Sequence, residues 1–144
     1  MTRCYLPVDL SDFKATVTQH EIRVAHGHAV TTWLRAAWPE ADYDDLEYAA
    51  LMAAAAESAS RMNVISSSHF GHRVVLVVDA DVLDESDDST AVEVATPVAW
   101  ARLAAVQADP DPIALDDHED DELGWFANQE AEWLLERIKG DPST

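Results

Sequence analysis

Apolar positions fall into three kinds of run along this chain. "RCYLPVDL" (Arg3 to Leu10) alternates, with Cys4, Leu6 and Val8 on one side. That pattern predicts a short strand, and Pro7 favours an edge position or the strand's end. "HRVVLVVDA" (His72 to Ala80) is unbroken and β-branched, the composition of a strand buried on both faces, and is expected to lie at the centre of the sheet. Between Asp42 and Arg61, Tyr48, Leu51, Met52, Ala55, Ala59 and Met62 recur at three- and four-residue spacing. This predicts a core helix, with aspartates at the end where the macrodipole favours them and with Ala49, Ala53 and Ala56 widening the apolar stripe.

Weaker patterns fill the rest. Ser11 is placed to cap a short helix carrying Phe13 and Val17 on one face. "HGHAVTTWLRAAWP" reads as a glycine-containing turn, an extended piece at Ala29 and Val30, and a helix from Thr31 or Thr32 that Pro39 stops. "TAVEVATP" (Thr90 to Pro97) alternates as an antiparallel neighbour of the central strand, and a turn through Trp100 leads to a strand at Ala104 to Ala108. A last helix is expected from His118 or Glu119 to Lys139, ended by Gly140 and Pro142. Together these elements indicate an α+β fold, a small, mainly antiparallel sheet with helices packed on one face. One domain is expected over residues 1–139, with a short C-terminal tail at 140–144.

Charge changes the picture more than composition does. The net charge of −19 arises from 28 acids against 9 bases, and three stretches carry the excess. Glu40 to Glu47 holds five acids, Asp79 to Asp88 six and Asp109 to Glu122 eight, so the remainder of the chain is balanced. Such a surface repels nucleic acid backbones and anionic membranes and leaves basic protein surfaces as natural partners, although acidity also simply keeps a small protein soluble. A single cysteine, Cys4, and the lack of an apolar run of about 20 residues fit a soluble, cytoplasmic protein.

Three clusters offer chemistry. Asp116 to Glu122 packs six carboxylates around His118. At the start of the last helix they complement unpaired N–H groups, and no glycine-turned calcium loop accompanies them. Histidines occur as the pairs His26 with His28 and His69 with His72. Zinc needs three or four ligands around one point, and no helical zinc motif is present, so loop histidines are the simpler reading and neither a metal nor a cofactor is expected. In helical projection Glu130 falls on the apolar face with Gln129 beside it, which predicts a buried carboxylate paired with an arginine or used in acid–base work. Trp125 projects away from that face, and Trp33 and Trp38 precede the acids at Glu40.

"LEYAALMAAAAES", "HRVVLVVDADV" and "LGWFANQE", with "YLPVDLSDF" and "HAVTTWLR", resemble a family of small acidic actinobacterial proteins to which no reaction is assigned. Members tend to read Trp-Tyr-Ala-Thr-Gln-Glu at the last helix. Here the residues are Trp125, Phe126, Ala127, Asn128, Gln129 and Glu130, preceded by Gly124. The resemblance implies a cytoplasmic actinobacterial protein and no particular chemistry.

The sequence thus favours a non-enzymatic interaction or regulatory protein that binds a basic protein surface, with mimicry of nucleic acid charge as one form of that role. Its contact surface would comprise Glu40, Asp42, Asp44, Asp45, Asp116, Asp117, Glu119, Asp120, Asp121 and Trp125. The competing reading is a small enzyme or ligand-binding protein with a pocket around Glu130 and nearby histidine or arginine.

Overall fold

In the computed structural model, which describes residues 1–119 and 121–142, the first alternating run forms β1 (Thr2–Val8). Asp9 then caps α1 (Leu10–Gln19), its Oδ1 accepting from the Asp12 N–H at 2.8 Å, two residues earlier than a Ser11 cap would allow. β2 (Glu21–Ile22) and β3 (His26–His28) precede α2 (Thr32–Ala37), whose cap is the Thr31 hydroxyl. The long helix α3 (Tyr43–Ile65) is followed by β4 (Phe70–Gly71), β5 (Val74–Ala80), β6 (Val82–Glu85), β7 (Ala91–Val94) and β8 (Val98–Ala99). A 3-10 turn at Trp100–Arg102 leads into β9 (Leu103–Ala108), then β10 (Ile113–Ala114), β11 (Gly124–Phe126) and α4 (Ala131–Lys139).

Seven strands form one sheet in the order β11-β9-β5-β1-β3-β7-β6, with every pair antiparallel. The α+β class and central β5 therefore stand, but β1 is an interior strand and β7 pairs with β3 and β6 rather than with β5. Pro7 is tolerated inside the sheet because β3 pairs with β1 only at Tyr5↔His28, so the missing N–H costs no ladder bond on that side.

Helices cover both faces of the sheet, a correction to the one-sided packing expected from sequence. On one face Tyr5, Val75, Val77 and Ala105 meet Ala50, Leu51, Ala54 and Ala55 of α3. On the other, Cys4, Leu6, Val8, Val74, Leu76 and Val78 meet Phe13 and Val17 of α1 and Leu134 and Ile138 of α4. Alternation along β1 and β5 requires this two-sided burial, because successive side chains point to opposite faces. The alanines let α3 approach the sheet closely, and the Ser58 hydroxyl at the contact donates to the Val8 carbonyl while accepting from the Val74 N–H, both at 3.0 Å. Tyr48, expected in the apolar stripe, is exposed.

The last helix starts at Ala131 rather than near His118. Gly124–Phe126 instead pairs with β9 as an edge strand, Trp125 opposite Gln107, so its backbone groups are satisfied by a ladder and not by a helix. Between β10 and β11, Arg73 holds the described residues His118 and Asp121 outside any helix. This buried guanidinium grips the carboxylate of Asp109 with bonds of 2.8 and 2.9 Å and donates to the carbonyls of His118 and Asp121 at 3.4 and 2.8 Å. Beyond α4, Asp141 accepts from His72 Nε2. No described helix is long and apolar enough to cross a membrane.

Candidate functional site

β3 is extended, so His26 and His28, two residues apart, project from the same face of the sheet. That face is the one α3 covers, because His28 lies opposite Tyr5 in the ladder. Between the two histidines Gly27 turns to the other face, where an added Cβ would collide with Leu6. From α3, Glu57 points at the pair: its Oε1 lies 2.8 Å from His26 Nε2 and 3.0 Å from His28 Nε2. The other carboxylate oxygen, Oε2, accepts from Arg61 Nη2 at 2.7 Å, one helical turn on. His28 Nδ1 is 2.8 Å from the Thr90 hydroxyl.

The electrostatics of this cluster oppose burial to hydrogen bonding. Burial holds His28 below its ordinary value, with Glu57 pulling only partly the other way. Burial alone would raise the Glu57 carboxyl, but hydrogen bonds from His26 and His28 outweigh it and hold the group below its ordinary value. The result is a carboxylate between two imidazoles, one of which burial makes harder to protonate. A groove of about 400 Å³ opens beside His26 and Arg61, walled by Thr16, Gln19, Arg23 and Val24.

A second concavity lies between α3 and the β9–β11 edge. It measures about 320 Å³ and is walled by Tyr48, Leu51, Asp44 and Glu47 from α3, and by Ala105, Gln107 and Trp125 from the sheet. Trp125 is 62% exposed and Tyr48 59%, so two aromatic rings stand in water beside two carboxylates. At the base of the groove, burial, with Glu47 adding to it, pushes the Tyr5 phenol up to about 12.

The acidic residues expected to form one surface are divided. Asp79, at the far end of β5, pairs with Arg3, and Glu85 Oε1 accepts from the Thr32 N–H at 2.8 Å next to Arg35 and Tyr43. Glu40, Asp42, Asp44 and Asp45 therefore share an end of the molecule with the Asp79–Asp88 stretch. Asp116, Asp117, Glu119 and Asp121 follow Asp109, which Arg73 holds just before the start of β5. A seven-residue strand separates the two ends by roughly 20 Å. Asp120 lies outside the described residues. Arginines also neutralise part of two of the stretches, through Arg3–Asp79 in one and Arg73–Asp109 and Arg137–Asp111 in the other.

Glu130 and Gln129 are exposed, not buried. Because α4 begins at Ala131, Glu130 sits in a 3-10 turn (Asn128–Glu130), where its Oε1 accepts from the Ala127 N–H at 3.0 Å. It lies away from His72. Asn128 is tied to Leu103 at one end of β9, whereas His72 contacts Asp109 beyond the other. His69 is exposed and bonds Asn63, so the two histidine pairs remain apart. Glu57 is the residue sequence reasoning missed. It is one of two glutamates in an alanine-rich helix, and only the His-x-His spacing on a strand hinted at a site.

Residues 2–135 match the model of a family described as a family of unknown function (DUF6912). No curated protein and no solved structure matches the chain.

Proposed function

Because the chain belongs to that family of unknown function, we propose its role from its surface: a non-enzymatic, cytoplasmic interaction protein that binds a basic, amphipathic segment of another protein. The actinobacterial origin implied by "HRVVLVVDADV" and its companion segments is part of the same reading. The observation that carries it is the groove between α3 and the β9–β11 edge, where Tyr48 and Trp125 are exposed beside Asp44 and Glu47. Aromatic side chains anchor interfaces through large apolar area at low entropic cost, and carboxylates alongside them select lysine and arginine. A net charge of −19 steers such a partner from a distance. Acids divided between two ends, and partly paired with arginines, support a local docking groove more than a continuous imitation of a nucleic acid backbone.

Calorimetry with a short peptide of alternating lysine and leucine tests the proposal. Reversing Asp44 and Glu47 to lysine is expected to weaken binding by tenfold or more, about 1.4 kcal/mol. Trp125→Ala should act in the same direction. Reversing Asp116 and Asp117 makes the same change in net charge at the other end and should cost little. Equal losses from the two reversals would reduce the binding to diffuse attraction and remove the groove from consideration.

A further inference from the structure

We infer that His26, His28 and Glu57 form a binding site for one divalent transition-metal ion, with two imidazoles and a carboxylate as its protein ligands. Their donor atoms all lie within 4.8 Å of one another. Tetrahedral zinc bonds of about 2.0–2.1 Å place neighbouring ligand atoms roughly 3.3 Å apart. The two contacts to Glu57 Oε1, at 2.8 and 3.0 Å, need only open slightly as the ion replaces the shared protons. The donor set disfavours calcium and magnesium, which prefer oxygen, and suits zinc or ferrous iron.

The surroundings hold the ligands in place. His28 Nδ1 donates to the Thr90 hydroxyl when Nε2 carries the lone pair, which is the tautomer a metal requires and the kind of outer contact that orients ligand histidines. Arg61 occupies Glu57 Oε2 and leaves Oε1 directed at the imidazoles. Its positive charge weakens attraction for the ion, and the Glu57 carboxylate offsets that charge directly. Three protein ligands leave coordination positions for water from the groove beside His26. The site shares no residue with the Tyr48–Trp125 groove, so it stands or falls independently of peptide binding.

Titration of the protein with Co²⁺, read by visible absorption, and with Zn²⁺, read by calorimetry, tests the assignment. One ion per chain is expected, with intense cobalt bands of low coordination number. His26→Gln and Glu57→Gln should each weaken uptake by about tenfold or more, as loss of a ligand does at least as much as loss of an outer contact. His69→Gln, at an exposed histidine elsewhere, should leave it unchanged. His26 is partly exposed, so its variant is expected to keep the fold, which circular dichroism checks. Absence of uptake, or uptake that survives His26→Gln in folded protein, overturns the site and leaves a purely structural hydrogen-bond network.

Discussion

At the scale of the residue, His28 and Glu57 bind protons less readily in the folded chain than in the unfolded one. The unfolded state therefore takes up more protons as pH falls, and both groups stabilise the fold more at higher pH. For His28 the contribution is complete above its ordinary value of 6.5 and is lost as pH falls through its lower folded value. For Glu57 the same loss comes lower, below 4.5. Urea denaturation in a chelating buffer should thus show wild-type stability rising more steeply between pH 5 and pH 7, on the order of the ordinary histidine range, than that of His28→Gln. Parallel curves would mean that His28 titrates alike in both states. Relief of negative self-repulsion at low pH acts on both proteins and cancels in the comparison.

Caps and edges decide matters at the scale of the element. Asp42 was expected to belong to an interaction surface, yet its side chain accepts from the Asp45 N–H at 2.9 Å and starts α3. Asp42→Ala should cost about 1 kcal/mol in chemical denaturation, the ordinary value of a lost N-cap, and Asp42→Asn should cost much less despite removing the same charge. Equal losses would assign the effect to charge at the helix dipole and not to the cap bond. The boundary of α4 carries a similar lesson. Leu123, Phe126, Ala127, Ala131 and Leu134 fit one helical stripe in projection, but Gly124–Phe126 finds a partner in β9 and satisfies its backbone there. A backbone offered a ladder beside a buried strand gains bonds that an isolated first turn lacks.

For the whole molecule, charge opposes compactness. Nine basic residues cannot balance 28 acids, and several of the bases are already paired with specific carboxylates. The acids of the three rich stretches lie toward two ends about 20 Å apart, beyond the Debye length of about 8 Å at physiological ionic strength. Repulsion within each end should therefore dominate, and it is screened by salt. The melting temperature is expected to rise as sodium chloride increases from about 10 mM to about 150 mM, over which the Debye length falls from about 30 to about 8 Å. A fall would mean that the ion pairs outweigh the repulsion.

The sequence alone determined what depends on local period and net composition: the α+β class, the doubly buried strand at β5, the long alanine-rich helix, the turn at Trp100 before β9 and the acidic balance. Each follows from alternation, helical spacing or counting, which neighbours along the chain are sufficient to express. Tertiary structure decided what depends on partners distant in sequence. It placed β1 between β3 and β5, sent helices to both faces, and used Arg73 to hold His118 and Asp121 outside the helix that the sequence suggested. It moved Glu130 from an expected pocket to a surface turn, and brought Glu57 to His26 and His28 across some thirty residues of chain. Such meetings are fixed by which surfaces bury against each other, and the spacing of residues within any one segment carries no record of that choice.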